Sequence, residues 1–214
     1  MGETSGQRQQ KRARKVHARA PANNFSAAYF RKFYLNAATR VVTAAEMRRR
    51  AALIECALRQ CQIPVRRILD AGCGIGLLQK PFKEFLPRAR YVGLEASEYL
   101  CSRFGWTLGS IVDFAARKPY DLVICYDVLQ YLPDAQASRA IANLGRLSGA
   151  ALYVSALTTE DWRENCDRRR TDRAVHLRTG AWYRRRLSKW FRYVGFGIWV
   201  RRNVTAILWE MERP

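Results

Sequence analysis

Three alternate glycines follow an aspartate inside the run ILDAGCGIGLL: Asp70-x-Gly72-x-Gly74-x-Gly76. Glycines in such a loop permit positive φ and let a ligand come close to the backbone. A helix beginning near Gly76 would add unpaired N–H groups and a partial positive charge. That combination suits a nucleotide-like ligand or a carboxylate. Glu95 stands 19 residues after Gly76, at the end of YVGLE. An acid at such a strand end can accept hydrogen bonds from both hydroxyls of a ribose. The spacing departs from two phosphate loops: in G-x-G-x-x-G the third glycine's place holds Leu77, and no lysine follows as G-x-x-x-x-G-K-[ST] requires. His176 is the chain's one histidine besides His17, and an imidazole is the side chain best suited to act as a general base near neutral pH.

These residues need elements to hold them. RRILDA reads as a short strand before the glycines, and GLLQKPFKEFL as a helix after them, with Leu77, Leu78, Phe82 and Phe85 on one side. RYVGLE is a second strand, SEYLCSRF a helix capped by Ser97, and WTLGSIVDF a short strand and loop. YDLVICYDV is a continuous apolar strand, as the middle of a parallel sheet requires. DAQASRAIANLGRL follows as a helix and GAALYVSAL as a strand. The alternation predicts an α/β fold with a doubly wound, mostly parallel sheet. The end departs from it: GAWYRRRLSKWF reads as a helix, and FGIWVRRNVTAILWEM as two strand-like runs around RRN, an antiparallel hairpin. Upstream, FSAAYFRKFY through ALRQCQ has helical periodicity, with Met47, Ala51, Ile54 and Leu58 on one face and Pro64 as its stop. The expected organisation is a disordered basic tail over 1–24, a helical lid over 25–63, and an α/β domain over 64–214.

The spacing D-x-G-x-G-x-G resembles motif I of the class I S-adenosylmethionine-dependent methyltransferases. Glu95 matches the acid that holds the ribose in that family, and YDLVICYDVLQYLPD resembles its fourth-strand segment. The likeness runs from about Ile68 to Leu157. It implies a sheet of about seven strands, the last antiparallel, and S-adenosylmethionine as cofactor. The residues it implies for cofactor binding are Asp70, Gly72, Cys73, Gly74, Gly76, Glu95, Ala96, Ser110, Ile111, Tyr126 and Asp127. Where the family commonly carries Gly-Asp at its adenine turn, this chain has Gly109-Ser110, which leaves Ser110, Ile111 and Asp113 as the candidates. The Pro-Pro-Tyr box of many nucleic-acid amino methyltransferases is replaced by Cys125-Tyr126-Asp127-Val128, and no Pro-Cys nucleophile exists in the chain.

Composition bounds the rest. The net charge of +20 could attract nucleic acid, but arginine outnumbers lysine 31 to 7, a bias that a GC-rich genome also produces. The six cysteines form no C-x-x-C pair, which argues against zinc and for a reducing, cytoplasmic setting. No apolar run is long enough for a membrane span, and no metal site is expected. The reading is a methyltransferase with a small-molecule acceptor, bound between the N-terminal aromatics and the segment 158–183, with His176 as the candidate base. RNA or protein methylation aided by the basic arm is the alternative enzyme reading. A non-catalytic cofactor-binding subunit is a third. The sequence leaves the oligomeric state open.

Overall fold

The computed structural model describes residues 25–214; the basic arm over 1–24 lies outside the described residues. Seven strands form one sheet: β1 Arg67–Ala71, β2 Arg90–Glu95, β3 Thr107–Leu108, β4 Tyr120–Tyr126, β5 Ser148–Ser155, β6 Phe191–Gly195 and β7 Ile198–Arg201. Their order is β3-β2-β1-β4-β5-β7-β6. The first five run parallel; β7 pairs antiparallel with both β5 and β6. This is the doubly wound, mostly parallel sheet that the alternation predicts.

Apolar side chains of the central strands alternate between two cores. Leu69, Val123, Cys125 and Leu152 face one cluster, and Ile68, Leu122, Ile124 and Tyr153 the other. Burial on both faces is why β1 and β4 read as continuous apolar runs. Helices α5 (Asp134–Leu147) and α7 (Gly180–Leu187) cover the first face. Helices α2 (Ala44–Gln60) and α3 (Gln79–Phe85) cover the second, with Met47, Ala51, Ile54 and Leu58 of α2 all buried. Each of the three larger side chains contributes about 1.5–3 kcal/mol by leaving water. Helix α4 (Glu98–Phe104) starts at Ser97, whose hydroxyl accepts from the Leu100 N–H.

Two local expectations need correction. The N-terminal helix is not continuous. A short helix α1 (Ala27–Phe30) runs into a π-helical turn (Arg31–Leu35), and the chain then opens until Thr43 starts α2. The side chains of Thr43 and Glu46 cap one another's backbone there, a reciprocal start signal that ends any helix entering from upstream. The hairpin does not turn at RRN. It turns between β6 and β7, where Gly195, Phe196 and Gly197 have φ of 102°, 48° and 78°. Two glycines make that left-handed corner accessible. The segment after Arg201 leaves the sheet, and Val204, Ala206 and Leu208 pack against the α2 side instead.

Candidate active site

The parallel sheet reverses its winding between β1 and β4, so the loops after these strands diverge and leave a crevice at their carboxyl ends. The glycine loop enters it from β1 and Tyr126-Asp127 from β4. Gly74 has φ +55°, and a Cβ placed on it would meet nothing within 4 Å, so its bare face opens on the crevice. Gly76 has a different duty. At φ +78°, its missing Cβ leaves room for Trp106, whose Cζ2 would lie 2.5 Å from such an atom. The Trp106 indole N–H donates to the Gly74 carbonyl at 3.0 Å and so props the loop from beneath.

Glu95 is 7% exposed and ends β2. Its carboxylate accepts from the backbone N–H groups of Gly74 (2.9 Å), Ala96 (2.8 Å) and Ser97 (3.0 Å). Burial raises its pKa above the usual carboxylate range, and the three N–H groups offset part of that. Asp70 is 3% exposed and accepts from the Tyr91 hydroxyl. Burial pushes its pKa up to about 7; Tyr91 works against the shift and the nearby Glu95 charge with it. Burial also raises the Cys73 thiol well above its ordinary value, which leaves it protonated and unreactive.

Three cavities meet here. The first, about 110 Å³, is walled by Gly72, Gly74, Glu95, Ala96, Gly109, Ser110 and Ile111, and roofed by Phe25, Tyr29, Phe30 and Tyr34. The second, about 40 Å³, lies under the glycine loop against Asp70, Cys73 and Met47. The third, about 450 Å³, is walled by Arg40, Gln130, Tyr131 and the 165–172 segment. Tyr34, Tyr126 and Asp127 border all three. Asp127 sits in a left-handed conformation (φ 56°), uncommon for a side chain with a Cβ, at the point where the cavities join. Burial raises its carboxyl pKa; a hydrogen bond from Gln130 opposes the shift.

The aromatic roof is tied down. The Phe25 carbonyl accepts from the Ser97 hydroxyl at 2.9 Å, and the hydroxyls of Tyr29 and Tyr131 are 2.9 Å apart. Burial pushes the Tyr29 pKa up to about 12.

Of the eleven residues that the sequence points to for the cofactor, ten border this crevice; Gly76 instead packs on Trp106. Asp113 is exposed and outside it, whereas Ser110 and Ile111 line it. The structure does not bring His176 to the site. Its side chain is exposed and borders none of the three cavities; what it contributes is its backbone N–H, given to the Gln130 carbonyl at 2.7 Å. The reason lies in the 158–183 segment. Thr158 caps a helix α6 (Thr159–Glu164), and the Thr159 N–H donates to the Arg178 carbonyl at 2.9 Å. These contacts pull 175–179 away from the crevice and leave only 165–172 facing it. Arg178, 5% exposed, anchors the arrangement: it pairs with Asp134 at 2.8 Å and donates to the carbonyls of Leu129, Leu132 and His176. Trp106 and Gln130 escaped the sequence reading. Among the described residues no group of three or more His, Cys, Asp and Glu side chains is placed to hold a metal ion.

Residues 69–148 match the family model described as a methyltransferase domain. A ubiquinone biosynthesis O-methyltransferase of Xanthomonas campestris pv. campestris (strain B100) is 33% identical, the match covering 44% of this chain and 44% of that protein. Its counterpart in Xanthomonas oryzae pv. oryzae (strain PXO99A) is 34% identical over 42% of this chain and 43% of its own. The chain thus spans less than half the length of the curated relatives it matches. The magnesium protoporphyrin IX methyltransferase from Synechocystis PCC 6803, crystallised with bound SAM, aligns with a TM-score of 0.56 at 19% identity, covering 83% of this chain and 93% of that one. The plantazolicin methyltransferase, in complex with a triazolic desmethylPZN analog and SAH, aligns with a TM-score of 0.61 at 18% identity, covering 80% and 73%. At these identities the structural likeness speaks for the fold.

Proposed function

We propose that this chain, a member of the class I S-adenosylmethionine-dependent methyltransferase superfamily, transfers a methyl group from S-adenosylmethionine to a small-molecule acceptor. The observation that carries the reading is the junction: the cavity walled by Glu95, Ser110 and Ile111, a cavity under the glycine loop and a larger polar cavity share Tyr34, Tyr126 and Asp127. The donor set fits the cofactor. Glu95 offers carboxylate oxygens to ribose hydroxyls, Ser110 and Ile111 flank an adenine, and Asp70 supplies the negative charge an amino-acid ammonium needs. Gly74 leaves the space a Cβ would take.

When bound, S-adenosylmethionine supplies a methyl group on a positively charged sulfur. The chain's own residues orient the partners and keep water out, and proximity supplies much of the rate. Tyr34 and Tyr126 wall the junction. Asp127 is the carboxylate that faces both the cofactor side and the acceptor side, and its raised pKa suits it to hold a proton released by the acceptor. The two cofactor-side cavities are smaller than the roughly 300–1,000 Å³ typical of ligand sites.

A small-molecule acceptor is supported by the third cavity, whose 450 Å³ lies within that range, and by the names of the similar proteins: a ubiquinone biosynthesis O-methyltransferase, a magnesium protoporphyrin IX methyltransferase and a plantazolicin methyltransferase. Calorimetric titration with S-adenosylhomocysteine tests the reading. Binding near the micromolar range, about −8 kcal/mol, is expected; no heat from folded protein would overturn it.

A further inference from the structure

Arg50 is a cation held by aromatic side chains. It lies on α2, is half-buried, and forms no ion pair among the described residues. Its Nε donates to the Tyr153 hydroxyl at 2.9 Å, and its guanidinium carbon lies 4.2 Å from the centre of the Tyr126 ring. The rings of Tyr126 and Tyr153 are stacked on one another with centres 6.5 Å apart. Tyr126 ends β4, borders all three cavities, and is followed by Asp127 in its left-handed turn. Arg50 itself borders none of them. A ligand at the junction therefore meets Tyr126 and Asp127, both half-buried and accessible, and feels Arg50 only through them.

A half-buried charge without a counter-charge is unfavourable unless something compensates it, and an apolar side chain of similar volume could fill the same place. Here the compensation comes from the Tyr126 face and the Tyr153 oxygen, and both hold the charge at the corner assigned to methyl transfer. We propose that Arg50 is a positioning residue of the transfer site, seating the Tyr126 ring and setting a fixed positive charge behind the Tyr126-Asp127 corner. The inference rests on the methyltransferase reading and on Asp127 as the group that holds the acceptor's proton. The other ionisable groups around Asp127 do not supply such a charge. Cys125 and Tyr126 on β4, Tyr153 on β5, and Tyr29 and Tyr34 of the roof all have raised pKa values and are neutral near pH 7. Asp161 on α6 is an acid held below the usual carboxylate range. Burial raises the Asp127 pKa and the Asp161 charge adds to the rise; hydrogen bonds from Gln130 and Tyr126 and the Arg50 charge oppose it. Arg50 is the cation in that balance, and it favours the ionised form of Asp127, the form able to accept a proton.

S-adenosylmethionine carries a positive sulfur and S-adenosylhomocysteine a neutral one, so the ratio of their affinities reads the charge at the junction. The effect of Asp70 on the ammonium is common to both ligands and cancels. The ratio is measured by calorimetry on the full chain from about pH 5 to about pH 8. In wild type it should rise with pH as Asp127 ionises, and Asp127→Asn should flatten it. Arg50→Met removes the charge and should move the midpoint of the rise upward by about half a pH unit or more, a modest shift because the guanidinium is half exposed. Arg50→Lys restores the charge without the flat stacking surface and should return the midpoint toward wild type. Arg50→Gln repeats the measurement should Arg50→Met not fold. A purely structural Arg50 would weaken both ligands alike and leave the midpoint in place. A wild-type ratio that does not vary with pH, an unmoved midpoint in the uncharged variant, or a shift that Arg50→Lys fails to reverse would each overturn the proposal. Failure of wild type to bind S-adenosylhomocysteine would sink the methyltransferase reading itself, whereas binding with an unmoved midpoint sinks only this inference.

Discussion

Replacing Glu95 by glutamine changes one atom and disturbs two functions at once. The carboxylate accepts three backbone N–H groups, at 2.9, 2.8 and 3.0 Å. A glutamine has one oxygen. Keeping it on Ala96 and Ser97 turns the amide N–H groups toward the Gly74 N–H, donor against donor, and frees the glycine loop. Flipping the amide saves the Gly74 bond and loses the other two. At least one charge-assisted bond goes, worth about 1.5–3 kcal/mol. Burial has already raised the Glu95 pKa, so its charge is costly to hold and the neutral variant recovers part of the loss. The net destabilisation should be about 1–2 kcal/mol, a fall in Tm of about 2–8 °C for a chain of this size. Cofactor affinity should fall further. A carboxylate has about four lone-pair sites, and three are taken by the backbone, so accepting two ribose hydroxyls requires one N–H, that of Gly74 on the open side of the loop, to let go. Glutamine cannot make that exchange. S-adenosylhomocysteine should bind Glu95→Gln about 10–100-fold more weakly by calorimetry, with scanning calorimetry run beside it. Affinity within about twofold of wild type and an unchanged Tm would refute both roles.

Asp70 should make cofactor binding pH-dependent. Its folded pKa of about 7 lies above its unfolded value, so in the ligand-free chain its charge weakens the fold as pH rises toward 7. Pairing with an ammonium favours the charged form, so cofactor affinity should be full above pH 7 and fall by up to about tenfold per unit below it; calorimetry at pH 8, 7 and 6 that shows constant affinity would exclude Asp70 as the ammonium's partner. Gly76→Ala should lower stability by about 2–5 kcal/mol, combining left-handed strain with the Trp106 clash, whereas Gly74→Ala meets no atom within 4 Å and should cost about 1–2 kcal/mol while weakening cofactor binding. Urea melts of the two variants separate these outcomes, and equal losses would contradict the division of labour between the glycines. His176→Ala should leave cofactor affinity and turnover within about twofold of wild type, because only its backbone is used; Arg178→Met, which leaves the carbonyls of Leu129, Leu132 and His176 without this donor, should cost about 3–5 kcal/mol in the same melts, while the loss of its pair with the exposed Asp134 adds little.

Much of the fold was legible because the signals are local. YDLVICY is apolar on both faces and can only be a central strand, and the helix of Met47, Ala51, Ile54 and Leu58 follows from spacing alone. The glycine loop and Glu95 were legible for the same reason, being fixed by separation along the chain. What could not be read is decided by contacts between distant residues. Trp106 lies 30 or more positions from the loop it props, and nothing in GWTLG shows which backbone its indole meets. The 158–183 segment looked like one long loop around a lone histidine, because the tie between Thr159 and Arg178 that turns His176 outward is invisible in sequence. Thr43-x-x-Glu46 is a capping signature that would have divided the N-terminal helix had it been weighed above apolar periodicity. Gly195 and Gly197 likewise mark the hairpin corner, while RRN drew attention as a polar interruption.

The central claim is that methyl transfer takes place where the three cavities meet. A crystal structure of the chain with S-adenosylhomocysteine tests it most directly. The account predicts ribose hydroxyls on Glu95, adenine beside Ser110 and Ile111, the amino-acid ammonium toward Asp70, and the sulfur between Tyr34, Tyr126 and Asp127, facing the cavity that holds Gln130. A ligand bound outside the glycine loop, or a sulfur turned away from that cavity, would contradict it.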